Sequence, residues 1–214
     1  MNQQSAQLDA NGRPVMTAVF KTVTQALFVS FLMESQPAGS KCSTQTFIDM
    51  LKREAGIVED LEERDRQIDF GGLSPIEVRG QCAMVIAACL HRLPNPELAA
   101  IFTRYGHRRR QAQGIRALRD YCAPSLGQPE NEWMQMALLW NLFGPKGRRA
   151  DFSLVAIASE YGIPRQTLQY KQEKLKKTQR ELERRACASL EDYFQRKGLV
   201  EIPEKDGSVV KNSA

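Results

Sequence analysis

The chain has 214 residues, a formal net charge of +5 and an apolar fraction of 42%. This length can bury a real hydrophobic core in one large domain or two small ones, and 26% charged residues is typical of a soluble protein. No apolar run approaches the roughly 20 residues that cross a bilayer, and the polar start from Met1 to Pro14 lacks the order of a secretion signal. The composition therefore argues against a membrane protein and favours the cytoplasm.

Five cysteines lie far apart without a C-x-x-C pair: Cys42, Cys82, Cys89, Cys122 and Cys187. An odd number with this spacing argues against a disulfide framework or a zinc knuckle. Cys82 and Cys89 are seven residues apart in an apolar segment, so we expect both on one buried helix face. We predict no metal and no cofactor.

The N-terminal segment, residues 1–70, shows helical patterns separated by breaks. Phe20, Val23, Leu27 and Phe31 form one apolar stripe and predict an amphipathic helix from Thr17 to Met33. The following features are predicted in chain order: a break over Pro37–Ser40, a short helix over Thr44–Arg53, an exposed acidic helix or loop over Glu59–Asp69, and an end at Gly71-Gly72.

The central segment begins with Ser74-Pro75-Ile76-Glu77, which predicts a capping box and a helix to about Arg92. Asn95 is expected to cap a helix that runs to Tyr105 and stops at Gly106. His107–Arg110 would open the next helix, which should end near Tyr121, before Pro124. Glu130–Phe143 predicts a further helix that carries both tryptophans.

No segment alternates like a strand, and hairpin turn signals are absent, so the sequence predicts an all-α fold. We expect two units that meet around residues 123–130. The predicted divisions are an N-terminal helical segment (1–70), a central helical unit (71–125), a C-terminal unit (130–200) and a disordered tail (201–214).

Residues 154–170 have the spacing of a helix-turn-helix. Ala158 supplies a small residue where two helices cross, and Gly162, four residues later, tolerates the positive φ of a tight turn. Ile157, Ile163 and Leu168 would pin the second helix, and Pro164 suits an early position in it. Asp151 or Ser153 could cap the first helix. The alternative is an ordinary corner within an all-α core.

The first residues of the second helix of such a unit meet base edges in the major groove. The residues expected there are Arg165, Gln166, Thr167, Gln169 and Tyr170. Arginine pairs with guanine and glutamine with adenine, so this chemistry favours direct reading of DNA. Lys171 and Lys174 are better placed for phosphates, although Lys171 stands where an apolar residue is usual. Arg148 and Arg149 could hold the neighbouring backbone strand.

The second helix is predicted to continue as a long basic helix until Lys197 and Gly198. Arg165–Arg185 contains eight basic and three acidic residues, a balance of +5 that suits a polyanion. A solvated face with internal ion pairs would give the same pattern. Leu168, Leu175 and Leu182 recur every seven residues. They fit either a coiled-coil dimer or, as we favour, an arm packed on its own domain or on a partner.

An enzyme is not expected. The two histidines, His91 and His107, have no nearby nucleophile or metal-spaced partner, and no Walker loop, G-x-S-x-G or H-E-x-x-H is present. The acidic clusters around residues 59–69 fit a solvated charged face. Nuclease activity from scattered acidic residues is the enzymatic alternative, and metal-dependent plasmid cleavage would reveal it.

Two segments resemble known DNA-binding regulators. Leu93–Gly106 is similar to the first helices of the promoter-recognition domain of sigma factors, and Ile157–Leu168 resembles the helix-turn-helix of phage and prophage regulators. The plan from Gly72 to Val200 is similar to prophage late-gene regulators, namely the Q-like transcription antitermination factors and the related AlpA lysis regulator. Residues 1–70 are outside this resemblance.

The resemblance implies a sequence-specific transcription regulator that binds double-stranded DNA near a promoter, engages RNA polymerase and carries it past terminators. Such a protein would associate with the nucleoid. The alternatives are an operator-bound activator or repressor, and a phage DNA-packaging or replication module that holds DNA with the same motif.

Overall fold

The computed structural model describes residues 18–36, 70, 73–126 and 131–202. These residues are helical, and their only β-type pairing is an isolated parallel bridge between Phe20 and Val200. The all-α prediction is therefore confirmed for the described chain. The helices are α1 (Val23–Glu34), α2 (Pro75–Arg92), α3 (Asn95–Tyr105), α4 (Arg109–Leu126), α5 (Glu132–Phe143), α6 (Lys146–Arg149), a 3₁₀ turn (Ala150–Phe152), α7 (Leu154–Tyr161) and α8 (Arg165–Arg196).

Helix α1 carries the predicted apolar stripe, but it begins at Val23 rather than Thr17. Its start is set by Thr22, whose side chain accepts a hydrogen bond from the Gln25 amide at 3.0 Å. Phe20 precedes the helix and pairs with the C-terminal segment, because its amide donates to the Leu199 carbonyl at 2.9 Å. The four predicted stripe residues are all buried, but so are ten of the 12 residues of α1, including the polar Gln25 and Ser30. The prediction of an amphipathic helix is therefore wrong, because α1 is surrounded by the core and presents no polar side to solvent.

Several predictions from the sequence fall on residues outside the described chain. These are the break at Pro37–Ser40, the helix over Thr44–Arg53, the acidic segment Glu59–Asp69, the Gly71-Gly72 stop and the tail from residue 203.

Helix α2 begins as its sequence predicts. The Glu77 amide donates to Ser74 Oγ at 3.3 Å, and the Ser74 amide donates to Glu77 Oε2 at 2.7 Å, which completes the capping box. Cys82 and Cys89 are both buried, as expected from their spacing. Burial raises the pKa of the Cys82 thiol to about 11 and that of Cys89 to about 12, so both are neutral core side chains.

Helices α3 and α4 correct two predicted boundaries. Asn95 is the first helical residue and does not cap; Pro94 occupies the cap position without a side-chain hydrogen bond. Helix α4 runs through Pro124 to Leu126 instead of ending near Tyr121. Cys122 and Leu126, four residues apart, are buried on one face, and we attribute the extra turn to this burial, which offsets the hydrogen bond that Pro124 cannot donate.

Gly106 ends α3 as predicted, and a second glycine sets how closely α3 and α4 pack. A Cβ at Gly114 would lie 2.5 Å from the Thr103 amide nitrogen and 2.8 Å from the Ala99 carbonyl oxygen. These distances are shorter than van der Waals contact, so the two backbones can pack this closely only where position 114 lacks a side chain.

Two buried clusters make up the core, and α8 contributes to both. One joins α1 and α2 to the second half of α3 and to the C-terminal part of α8 through Ala186, Leu190 and Phe194. The other joins the first half of α3, together with α4, α5 and α7, to the first part of α8 through the three leucines of the heptad stripe, Leu168, Leu175 and Leu182. The stripe is thus buried against helices of its own chain, as expected for the packed arm and not for a coiled coil.

Because α8 belongs to both clusters, the core does not divide in chain order. The predicted division into units at residues 71–125 and 130–200 stays a prediction. Where the clusters adjoin, the Tyr105 hydroxyl donates to Glu183 Oε1 at 2.6 Å, and Gln179 Nε2 donates to Glu183 Oε2 at 3.0 Å. Helix α8 ends where predicted, at Lys197 and Gly198, the latter with φ +64°.

Candidate nucleic-acid interface

The candidate site is built on α7, the short connection at residues 162–164, and the start of α8. Ser153, one of the two predicted caps, accepts a hydrogen bond from the Ala156 amide at 3.2 Å and starts α7. Gly162 ends α7 in the left-handed conformation, with φ +63° and ψ +26°. The predicted requirement for positive φ at this position is confirmed.

Pro164 differs slightly from its predicted place, because it is the N-cap of α8 and not a residue inside the helix. Its carbonyl accepts hydrogen bonds from the amides of Thr167 at 3.0 Å and Leu168 at 3.2 Å. Proline fixes φ near −65° and lacks an N–H, so it closes the connection without leaving an amide unpaired.

The predicted pinning residues hold α8 against α7. Ile157 is 2% exposed and Leu168 is fully buried, and both belong to the same core cluster. Ile163 and Ala158 pack against this cluster as partly buried side chains. The direction in which α8 leaves the core is therefore set by apolar burial on both sides of the connection.

The five predicted base-reading residues are exposed together on the first two turns of α8. These are Arg165, Gln166, Thr167, Gln169 and Tyr170. Tyr170 is the least covered aromatic side chain of α8, with 72% of its surface exposed. Arg165 has no ion-pair partner within the described chain. The first turn of a helix also presents unpaired amides with partial positive charge, which adds to the basic character of this end.

Lys171 is placed differently from these residues. Its side chain is half-buried, and Nζ donates a hydrogen bond to the Leu126 carbonyl at the end of α4. The aliphatic stem thus fills the position where the motif usually has an apolar residue, while the ammonium caps a helix C-terminus. The predicted phosphate role of Lys171 would compete with this contact.

Lys174, one turn further along α8, is exposed and lies on the same α4 side. Burial raises the pKa of the Cys122 thiol in α4 to about 11, and the nearby Lys174 charge acts in the opposite direction. The Lys174 side chain thus lies at the edge of the exposed α8 surface, close to Cys122.

The two arginines before α7 are not equivalent. Arg149 is half-buried, and its Nε donates to the Gly144 carbonyl at 2.8 Å, which ties it to the corner between α5 and α6. Arg148 is exposed on α6. Only Arg148 of this pair has a side chain that is directed to the surface without a hydrogen bond within the described chain.

Ion pairs reduce the charge of α8 towards its C-terminal half. Glu173 pairs with Lys176 at 2.9 Å, and Glu181 pairs with both Arg184 and Arg185 at 2.9 Å. Hydrogen bonds from Arg184 and Arg185 lower the pKa of the Glu181 carboxyl to about 2, so the acid stays charged. Within the described residues, Arg165, Lys177 and Arg180 carry no ion pair.

Some exposed groups were not assigned a role from the sequence. Arg108, just before α4, and Arg109, its first residue, are exposed, and Arg108 has φ +44°. The neighbouring Tyr105 contacts Glu183, which follows Arg165 by eighteen residues in α8. This contact therefore lies roughly 27 Å from Arg165 along the helix axis. Trp133 is 79% exposed at the first turn of α5. The run of three arginines at residues 108–110 is the feature of the sequence that could have predicted an exposed basic site at Arg108 and Arg109.

The described residues contain no cluster of His, Cys, Asp and Glu that could hold a metal ion. Among the helices in that part of the chain, none is long and apolar enough to span a membrane. Comparison of the sequence with protein-family profiles and with curated proteins finds no match in either.

Proposed function

We propose that the chain is a sequence-specific DNA-binding transcription regulator in which α7 and α8 form a helix-turn-helix and the start of α8 enters the major groove. The observation that carries the proposal is the exposed row at the start of α8, behind a left-handed Gly162 and two buried pinning residues. Recognition helices use this arrangement, because the core fixes the helix while its first side chains stay free for base edges.

We assign the residues of the proposed site to base contacts, phosphate contacts or positioning roles according to their side-chain chemistry. Arg165 is suited to bidentate pairing with guanine, and Gln166 and Gln169 to adenine. Lys174 and Arg148, exposed on either side of this row in sequence, would contact phosphates. Because Lys171 and Arg149 already hold carbonyl groups of the protein, we assign them a positioning role in the proposal.

The experiment selects binding sequences from a random duplex library with the full chain, then measures Arg165→Ala and Gln166→Ala on the selected and on unrelated DNA. Loss of one good bidentate pair weakens the selected site by about 1–3 kcal/mol, roughly 5- to 150-fold, and spares unrelated DNA. Lys174→Ala should instead weaken all DNA alike and reduce the salt dependence of binding.

Arg116→Ala is the matched control, because Arg116 is an exposed arginine on α4 without an ion pair among the described residues. It should leave the preference between selected and unrelated DNA unchanged. If Arg165→Ala and Gln166→Ala weakened all sequences equally, the placement of the recognition helix would be wrong. If no sequence were enriched, the proposal of sequence-specific binding would fail.

We further propose positive control by antitermination through RNA polymerase, supported by the resemblance of the chain to Q-like factors. Crosslinking maps of the protein and of polymerase in the native cell test this step. Occupancy that extends from a promoter through the transcribed unit is the expected result. A peak confined to the promoter would instead indicate an operator-bound activator or repressor.

A further inference from the structure

Helix α2 carries an exposed apolar row on the side opposite its contacts with the core. Ile76 is 81% exposed and Leu90 is 41% exposed, and Gly80, Ala83 and Ala87 between them are also exposed. We call these five residues the α2 seam; Met84, 40% exposed, lies beside it. The other side of α2 is already occupied, since Val78, Cys82, Val85 and Cys89 are buried in the core.

The spacing of the α2 seam is that of a helix that packs lengthwise on another helix. Its members follow one another at intervals of four, three, four and three residues, which is the alternation of a and d positions in a heptad. A helix that faces only solvent is normally polar on that side. Here the seam positions hold no charged residue over the length of α2.

The seam is shaped for a second copy in the antiparallel direction. A two-fold axis beside Ala83 places Ile76 of each copy against Leu90 of the other. The small residues Gly80 and Ala87 then meet near the middle, and a Cβ built at Gly80 has no neighbour within 4 Å, so the backbone there is open to close approach.

Charge also favours the antiparallel direction. Glu77 lies in the first turn of α2, and His91 and Arg92 lie in its last turn. Antiparallel pairing brings each acidic end near a basic end and opposes the two helix dipoles, whereas parallel pairing brings like charges together.

We propose that this chain forms a homodimer through the α2 seam, with the two α2 helices antiparallel about a two-fold axis at Ala83. The heptad leucines of α8 cannot serve this purpose, because Leu168, Leu175 and Leu182 are at most 3% exposed within one chain. Helix α2 has 18 residues and offers a stripe about 27 Å long. A stable interface covers about 800 Å² on each partner, which is more than a single helix stripe of this length offers. We therefore expect a weak dimer that dissociates at micromolar concentration. The inference does not depend on the proposed function.

Sedimentation velocity of the full chain over a range of concentrations tests the proposal. The wild type should pass from one to two chains per particle as its concentration rises. Ala83→Glu places two like charges on the axis and should raise the dissociation constant at least roughly tenfold. Ile202→Glu is the matched control, because Ile202 is 72% exposed outside α2, and it should dimerise like the wild type.

A second measurement keeps the geometry testable without a charge. In a Cys42→Ser, Cys187→Ser background, which leaves only the buried native thiols, Ala83→Cys should be joined to its copy by a short bis-maleimide, and Ile202→Cys should not. A single-chain mass at all concentrations would overturn the proposal. So would a dimer that Ala83→Glu leaves intact, or one in which Ile202→Cys crosslinks and Ala83→Cys does not.

Discussion

Gly162→Ala is the substitution that most directly tests the turn between α7 and α8. Gly162 has φ +63°, where an L side chain costs roughly 1–2 kcal/mol. An added Cβ meets no atom within 4 Å, so no steric clash adds to this strain. Alanine also reduces the entropy of the unfolded chain, which returns about 0.4–1 kcal/mol. We therefore expect a net loss of about 1 kcal/mol in the free energy of unfolding, or roughly 2–4 °C in Tm for a chain of this size.

Two other glycines separate strain from clash in the same assay, urea unfolding followed by circular dichroism and tryptophan fluorescence. Gly147→Ala adds a Cβ with no neighbour at an unstrained position, so it should stabilise by about 0.4–1 kcal/mol. Gly114→Ala places Cβ 2.7 Å from Phe102 Cβ and against two backbone atoms, so it should cost about 1–3 kcal/mol.

The expected order of stability is Gly147→Ala, wild type, Gly162→Ala and Gly114→Ala. Gly162→Asn should recover part of the loss, because asparagine tolerates the left-handed region better than alanine. If Gly162→Ala were as stable as the wild type, the left-handed turn on which the predicted motif depends would be refuted.

Four further predictions concern α8 and the buried side chains of the core. Leu175→Ala removes a side chain that is 1% exposed and should lower the free energy of unfolding in urea by about 2–5 kcal/mol. If the leucines of α8 instead formed a coiled-coil dimer, this loss would depend on the protein concentration. Tyr105→Phe deletes the donor to Glu183 and should cost about 1.5–3 kcal/mol by the same assay; an unchanged midpoint would show that this hydrogen bond does not stabilise the junction of the clusters. In a Cys42→Ser background at pH 8, a thiol reagent should react first with the half-buried Cys187, and the three buried thiols should react only as fast as the protein opens. Burial raises the pKa values of those three thiols in the folded protein. The stability that they contribute is therefore fully present below the pKa of an unfolded thiol and is lost as the pH rises from there to 11–12. The urea midpoint should fall over this pH range.

Local signals in the sequence predicted individual elements well wherever a short-range contact decides them. The capping box at Ser74, the cap at Ser153 and the left-handed Gly162 each depend on residues at most four positions apart. The exposed row at the start of α8 was likewise predictable, because exposure follows from helical spacing once the buried leucines are known.

Two of the errors arose where a distant contact opposes a local preference. Pro124 predicts the end of a helix, yet burial of Leu126 carries α4 one turn further. Phe20 fits the stripe of α1, yet its backbone pairs with residues 199–201, so the helix starts later. No pattern around Phe20 can indicate this pairing, because residues 199–201 lie more than 100 residues away in the chain.

The sequence by itself determined that the described chain is helical, where several of its helices begin and end, and which side of helices such as α2 and α8 is buried, because those properties depend on spacing along one chain. The tertiary structure decided which of those faces are used. It buried the leucine stripe of α8 within the chain, directed Lys171 to the end of α4 and left one apolar side of α2 in solvent. The physical reason is that a heptad stripe or a lysine stem gains the same burial free energy from any apolar neighbour, so only the three-dimensional arrangement of the helices selects the neighbour.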